Sequence, residues 1–332
     1  MGSVLGKNIT LTVFGESHGQ LVGATLIGLP SGIKIEDDKI KSQMAKRKAK
    51  GGLTSSRIET DEVNFISGVK NGFTNGNPLT VIIKNNDYDD KEYKDEIARP
   101  SHGDFTNFVR NGEYGERKGG GFSSGRLTAP IVALGTIAIS LLETKGIHIS
   151  SAIDRNVLDI IEKARENGDS IGAKVTTKIS GIEIGVGEPM FDSIESVFAH
   201  ALFSIPGVKG VSFGLGFDYN GAYGSEVNDQ FTVIDSKVTT KTNNTGGIDG
   251  GMSNGNDIII HTVFKPTPSI KIEQNALNLK TMQVEKYEIE GRHDACIALR
   301  GQVVIDSLLA ISLLDLLVEF HGKGYLKKWN MA

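Results

Sequence analysis

Apolar positions along the chain follow two periods, one of two and one of three to four residues, and these mark out its elements. Ile9-Thr-Leu-Thr-Val-Phe14 alternates and is β-branched, which predicts a strand. Residues 15–19 follow as a loop, and residues 21–29 form a second predicted strand that stops at Pro30. Residues 36–49 have a helical, strongly basic pattern ending in Lys46-Arg47-Lys48. Residues 63–69 and 78–84 are predicted strands, and residues 85–98 a polar, charge-rich loop. A glycine-rich loop at 112–125 carries Arg117 and Lys118. Pro130 then suits the first turn of a helix that Gly146 ends.

The second half reads similarly. Residues 154–167 form a predicted helix closed by Gly168, and residues 174–186 a strand. Asp192-Ser-Ile-Glu195 has the spacing of a capping box with Asp192 at its start. Behind it Ile194, Val197, Phe198, Ala201, Leu202 and Ile205 recur at helical intervals until Pro206-Gly207. Residues 211–217 and 257–264 are predicted strands, and residues 302–320 a final helix. Strands and helices mix without strict βαβ alternation, which points to α+β layers. No linker or sequence repeat is visible, so residues 1–332 are expected to form a single domain.

Composition narrows the class. The 41 glycines against 8 prolines fall in local clusters, which require tight turns or close backbone approach at several places. A formal charge of −4 speaks against bulk nucleic-acid binding but allows a local basic pocket for a small anion. The single Cys296 excludes an intrachain disulfide and fits a reducing compartment. Residues 1–10 lack a signal-peptide pattern, and the most apolar stretch, 303–320, is interrupted by Asp306, Asp315 and Glu319. A cytoplasmic protein with no membrane and no nucleic-acid partner is expected.

Several short segments carry candidate chemistry. Gly15-x-Ser17-x-Gly19 has the nucleophile-elbow spacing of serine hydrolases, but a strand rather than a helix is predicted after it. The competing reading gives the work to His18, which titrates near neutrality and can act as an acid. Arg99-Pro-Ser-His102-Gly-Asp104 reads either as an acid with a phosphate-holding arginine or as a turn closed by an Arg–Asp pair. Gly119-Gly-Gly-Phe-Ser-Ser-Gly-Arg126 presents backbone N–H groups and two hydroxyls before a helix, which suits an anion. Asn243-Asn-Thr-Gly-Gly-Ile-Asp-Gly-Gly-Met252 can bring backbone against a planar ring. Lys265-Pro-Thr-Pro-Ser269 offers a cation and a hydroxyl for a phosphate, and Arg292-His-Asp294 again joins cation, histidine and carboxylate. No ligand spacing for a metal is present.

In their order along the chain these segments resemble the chorismate synthases. The resemblance runs through Phe14-Gly-Glu-Ser-His-Gly19, Ser56-Arg57-x-Glu59-x-Asp61 and Asn85-x-Asp87. It continues through Arg99-Pro-x-His102-x-Asp104, Gly119-Gly-Gly121, Ser123-Ser-Gly-Arg126, Val208-Lys-Gly210, Lys265-Pro-Thr267 and Arg292-His-Asp294. Phe122 stands where the family commonly has arginine, Leu127 where it has glutamate, and Ala295 where it has proline. The run Gly125-Arg-Leu-Thr-Ala-Pro130 is similar to clostridial-type members.

The resemblance implies a β-α-β sandwich core of antiparallel sheets with helices. It also implies a lyase that eliminates phosphate from 5-enolpyruvylshikimate 3-phosphate to give chorismate in the shikimate pathway. The reaction is a 1,4-anti elimination that requires reduced FMN (FMNH2) without net redox change. NADPH enters only indirectly, for flavin reduction by a separate flavin reductase, and assembly as a homotetramer is implied. His18 would protonate the reduced flavin, His102 would stand by the leaving phosphate, and Asp294 would help flavin N5 accept the ring proton. Ser17 and Ser124 would support them, and Arg47, Arg57, Arg126 and Arg292 would anchor the substrate. The flavin would touch Phe122, Ser123, Ser124, Pro206, Gly207, Gly250, Lys265, Pro266, Thr267, Pro268, Ser269 and Arg292. The other expectation of the same class is a catalytically impaired flavin- or phosphosugar-binding paralogue.

Overall fold

The computed structural model describes residues 3–48, 61–86, 94, 96–154, 156–288 and 294–327. Arg57, Glu59, Asp87, Arg292, His293 and the expected helix end at Ala49 lie outside the described residues. Two antiparallel sheets enclose four helices. The first sheet is built from β1 (Thr10–Gly15), β2 (Leu21–Ile27), β3 (Asn64–Ser67) and β4 (Leu79–Lys84), with helices α1 (Asp37–Lys46) and α2 (Thr128–Glu143). The second uses β5 (His148–Ile153), β6 (Ala173–Ser180), β7 (Val208–Phe213) and β8 (Ile258–Phe264), with α3 (Ile194–Phe203) and α4 (Ala298–His321).

The strand order is β1-β2-β4-β3 in the first sheet, with the two-residue strand Val4–Leu5 added outside β1, and β5-β6-β8-β7 in the second. Apart from the helices Asp104–Asn111 and Asn156–Glu166, both halves run strand, strand, helix, strand, strand, helix, with the last strand inserted in the middle of its sheet. This internal correspondence was invisible in the residues, because it lies in the order and pairing of the elements and not in side-chain identity. The helices neighbour one another in the order α1-α2-α4-α3, α2 packing on the first sheet and α4 on the second. That placement explains why α2 and α4 are apolar nearly all round. The stretch Gly125–Glu143 is long and apolar enough to cross a membrane, yet 89% of it is buried inside the protein, as a core helix is.

Two close contacts set this frame. A Cβ built on Gly135 of α2 would lie 2.3 Å from the Cβ of Ser307 on α4, so the two central helices meet backbone to backbone. Asp315 of α4, 7% exposed, accepts hydrogen bonds from the backbone N–H groups of Lys7 (2.9 Å), Asn8 (2.6 Å) and Ile9 (2.8 Å). The chain entering β1 is thereby fastened to the last helix.

The elements depart from the sequence pattern at specific residues. The expected strand over 63–69 breaks at Gly68, whose φ of +84° is required because a side chain there would meet Leu79 Cα at 2.6 Å. The strand expected to reach 186 ends at Ser180, since Gly181 turns the chain against the Gly146 carbonyl. The cap of α3 is Ser193, whose Oγ accepts from Ser196 N at 3.1 Å, and not Asp192, which pairs with Lys7 on the surface. The final helix begins at Ala298, four residues before its expected start, and this adds Arg300 and Gly301 to it. β5 was not anticipated.

Gly135→Ala tests the helix crossing. Helix propensity alone favours alanine by about 1 kcal/mol. Overpacking against Ser307 is expected to win, giving a net destabilisation of about 1–3 kcal/mol, read from denaturant midpoints.

Candidate active site

The hairpin β1–β2 closes with Gly15 opposite Val22, so Ser17 and His18 sit at its tip. Asn85, just past the end of β4, holds that tip: its Nδ2 donates to Glu16 O (3.0 Å) and Gly19 O (2.7 Å). Its Oδ1 accepts from Arg126 Nε at 2.9 Å, and Arg126 Nη2 donates to Lys84 O at 3.1 Å. Of residues 119–126, expected to suit an anion, Ser123, Ser124, Gly125 and Arg126 line the cavity described below, while the triglycine packs on the hairpin tip. Gly119, Gly120 and Gly121 all have positive φ, and a Cβ on Gly119 would come within 2.4 Å of His18 Nε2 and 2.9 Å of Ser17 Oγ. Ser17 N donates to Gly121 O at 3.2 Å.

Ser17 is 1% exposed and a strand follows it. Both facts rule out a nucleophile elbow, which needs an exposed Oγ at a strand-to-helix turn.

At the other end, the register of β8 assembles a second wall. Phe264 lies between Ala173 and Val208, and Lys265 N donates to Gly207 O at 2.9 Å, which brings the 206–207 and 265–269 segments together. A bulge between Val208 and Gly210 carries Lys209. Gly301 of α4 lets the Phe264 ring pack against the helix, since a Cβ there would be 2.3 Å from Phe264 Cζ.

Between these walls is a cavity of about 570 Å³, within the size range of small-molecule sites. Of the residues singled out in the sequence, His102, Ser123, Ser124, Arg47 and Arg126 line it from the first half. Pro206, Gly207, Lys265, Thr267, Pro268 and Asp294 line it from the second. His18 and Ser17 stand behind Gly119, and Ser269 stands behind His102. Phe122, 48% exposed, and Pro266 are not among the lining residues. Gly250, in the turn between Ile248–Asp249 and Met252–Ser253, is not among them either.

Four lining or supporting residues escaped the sequence reading of the site. Asp61 pairs with Arg47 at 3.7 Å and also with Arg126, so one carboxylate sets two guanidinium groups. Arg47 further donates to Gly125 O and Thr128 Oγ1, both at 3.1 Å. Asn85 ties Arg126 to the hairpin tip, as described. Arg300 Nε lies 3.5 Å from Asp294 Oδ1, and Lys209 adds a cation beside Lys265. Asp61 and Asn85 both lie in the ordered motifs, which was the available signal. Lys209 lies in one as well, within Val208-Lys-Gly210, whereas Arg300 carried no signal beyond its charge.

Six Lys and Arg side chains against two carboxylates line the cavity of a chain whose formal charge is −4, so the site is a local attractor for anions. Burial, and then repulsion from Lys209, lowers the pKa of Lys265, whose Nζ donates to Ser101 O at 2.6 Å. Thr267 Oγ1 is buried with no hydrogen-bond partner, a hydroxyl left for a ligand to satisfy.

Arg99 does not point its charge at a ligand. It forks onto both oxygens of Asp104 (2.7 and 3.0 Å), and the buried pair closes the turn that carries His102. Burial first, then the Arg99 charge and that of Lys265, push the His102 pKa down from 6.5 to about 4, against the opposing pull of Asp104. The imidazole is therefore neutral at pH 7.

Comparison with known proteins agrees with this arrangement. The chorismate synthase family model matches residues 9–156 and 152–318. The chain is 38% identical to the chorismate synthase of Thermococcus gammatolerans, over 95% of this chain and 97% of the relative. It is 37% identical to that of Methanobrevibacter smithii over the full length of both, and 39% identical to that of Chitinophaga pinensis over 94% and 96%. A crystal structure of chorismate synthase superposes with a TM-score of 0.75 at 22% identity, covering 98% of this chain and 96% of the other, and shows the same fold.

Because the His102 pKa is depressed, the unfolded chain binds a proton below pH 6.5 that the folded protein refuses until about pH 4. Its contribution to stability is neutral above 6.5 and increasingly unfavourable as pH falls through that window. Relative to the parent, His102→Asn is expected to lose less stability between pH 6.5 and 4, measured by urea midpoints at each pH. With the fold, the cation-lined cavity and full-length kinship in place, the chain belongs to the chorismate synthase family.

Proposed function

We propose that the cavity binds reduced FMN and 5-enolpyruvylshikimate 3-phosphate together and that His102 acts there as the acid for the departing phosphate. The carrying observation is the convergence of His102, Ser124, Arg47, Arg126, Lys265 and Asp294, from segments spread over the chain, on one cavity rich in cations. Family membership makes the chain a carbon–oxygen lyase acting on a phosphate ester. The residues fit a flavin phosphate: Lys265, the unsatisfied Thr267 hydroxyl and the backbone at Gly207 meet in one wall. Ser123, Ser124, Pro206 and Pro268 would complete its seat. When bound, reduced FMN supplies transient electron density for loss of the allylic phosphate.

The protein's part is positioning and proton control. Arg47 and Arg126, held by Asp61, present fixed guanidinium groups to substrate carboxylates or phosphate, and the proposed Arg57 and Arg292 add to them. A phosphate dianion beside His102 outweighs Arg99 and Lys265 and draws a proton onto the ring. His102 can then protonate the leaving oxygen, and Ser124 steadies that oxygen by hydrogen bonding. Asp294, set by Arg300, is the carboxylate able to accept a proton in the same cavity. His18 and Ser17, behind the Gly119 loop, are proposed as the acid and its supporting hydroxyl on the flavin side.

We place the protein in the cytoplasm, fed by a separate flavin reductase, with residues 1–332 acting as one domain because both halves line the cavity. Homotetramer formation is supported by large apolar side chains left outside, Phe217 at 82% and Phe231 at 78% exposure. Sedimentation equilibrium should return four times the chain mass; a monomer would remove that part of the proposal.

The decisive assay follows phosphate release anaerobically with chemically reduced FMN and 5-enolpyruvylshikimate 3-phosphate. Turnover is expected from the parent, and His102→Ala should lower kcat by ~10²–10⁴. Flavin binding without phosphate release would instead identify the impaired paralogue.

A further inference from the structure

One side chain joins the Ser17–His18 tip to a cation of the cavity. Gly19 N donates to Glu16 O at 3.1 Å, so residues 16–19 form a turn with Ser17 and His18 at its two central positions. Asn85 Nδ2 donates to the carbonyls at both ends of that turn, Glu16 O at 3.0 Å and Gly19 O at 2.7 Å. Asn85 Oδ1 accepts from Arg126 Nε at 2.9 Å, across 41 positions of sequence. Carbonyl oxygens only accept and a guanidinium only donates, so the amide has a single workable orientation. Its backbone is set as well. Asn85 is 7% exposed, and its N–H donates to Gln20 O at 3.1 Å, which continues the β2–β4 ladder past the Leu21–Lys84 pair.

We infer that Asn85 is a positioning residue that fixes His18 relative to Arg126, so that the histidine and the substrate-anchoring cation keep one separation. This rests on the reading above that both take part in the reaction, and it holds whichever proton His18 handles. The position demands two donors and an acceptor at short reach. Aspartate would keep the acceptor for Arg126 but turn a charged oxygen toward two carbonyls. Glutamine would carry the amide one methylene further, in a site already closely packed.

The two links differ in weight. Arg126 does not depend on the amide alone, because its Nη1 pairs with Asp61 and its Nη2 donates to Lys84 O at 3.1 Å. The turn loses both of its side-chain donors when Asn85 is truncated. It also has no slack toward the cavity, since a Cβ on Gly119 would already come within 2.4 Å of the His18 ring. Release of the turn therefore displaces His18 while the guanidinium and its charge stay.

Kinetics separate the two effects. In Asn85→Ala, kcat for phosphate release is expected to fall about 10- to 100-fold, with KM for 5-enolpyruvylshikimate 3-phosphate little changed. Asn85→Asp keeps the Arg126 acceptor and the side-chain shape, so an equal loss of kcat there places the effect at the turn. A second readout needs neither substrate nor flavin. In protein labelled with ¹⁵N-histidine, the His18 resonance, assigned by its loss in His18→Gln, should shift in both variants, while that of the exposed His148 on β5 stays. Should Asn85→Ala not fold, Asn85→Asp carries both measurements. An unmoved His18 resonance, or a change confined to KM, would overturn the assignment. Absence of phosphate release by the parent would instead remove the reaction proposed above, and the resonance would still decide whether Asn85 holds the turn.

Discussion

The structure turns on the approach of α2 and α4 at Gly135 and Ser307. Each helix belongs to one half of the chain and carries one sheet. Only a residue without a side chain lets the two backbones meet this closely, and the contact fixes the distance between the two sheets. The cavity is a product of that distance. The start of α2 supplies Ser124 and Arg126 to it, and the start of α4 supplies Arg300 and Gly301. A longer side chain at the crossing would move catalytic groups as well as core ones.

The electrostatics of the cavity are those of a site built for a partner of opposite charge. Lys265 and Lys209 repel each other, a threonine hydroxyl is unsatisfied, and a histidine is kept neutral by burial and, after it, by nearby cations. Each is a cost in the free protein that an anion removes. The Arg99–Asp104 pair contributes by rigidity, holding the turn while biasing the ring toward neutrality.

Much of the frame was legible in the sequence, for physical reasons that also mark the limits. β1 and β2 announced themselves because β-branched residues alternate on a half-buried face. β5 was missed because only Ile149, Ser151 and Ile153 of its six residues turn half inward, and the Ser151 hydroxyl, bonded to Asp306 and Thr177, interrupts the apolar alternation. The sandwich architecture was expected from kinship, but the matching order of the two halves was not, since strand order repeats where residues do not. Within the site, His102, Ser124, Arg126 and Lys265 were found through ordered motifs. The pairing of Asp61 with two arginines, and of Ser269 with His102, arises only when distant segments meet, and no local spacing encodes it. The glycines at 119–121 add a contact that spacing did not announce, the close packing of Gly119 on the His18 ring.

The fastening of Lys7, Asn8 and Ile9 to Asp315 has a consequence in time. Those three amides precede their acceptor by 306 to 308 positions, so they leave the ribosome long before it. β1, with the Ser17–His18 tip at its end, has no fixed anchor while most of the chain is being synthesised. Contacts of such sequence separation form late, after the loop between them has been closed. A ribosome-bound nascent chain lacking α4 would hold all the side chains that the first half gives to the cavity and still not hold them in place. Assembly of the site waits on the synthesis of α4.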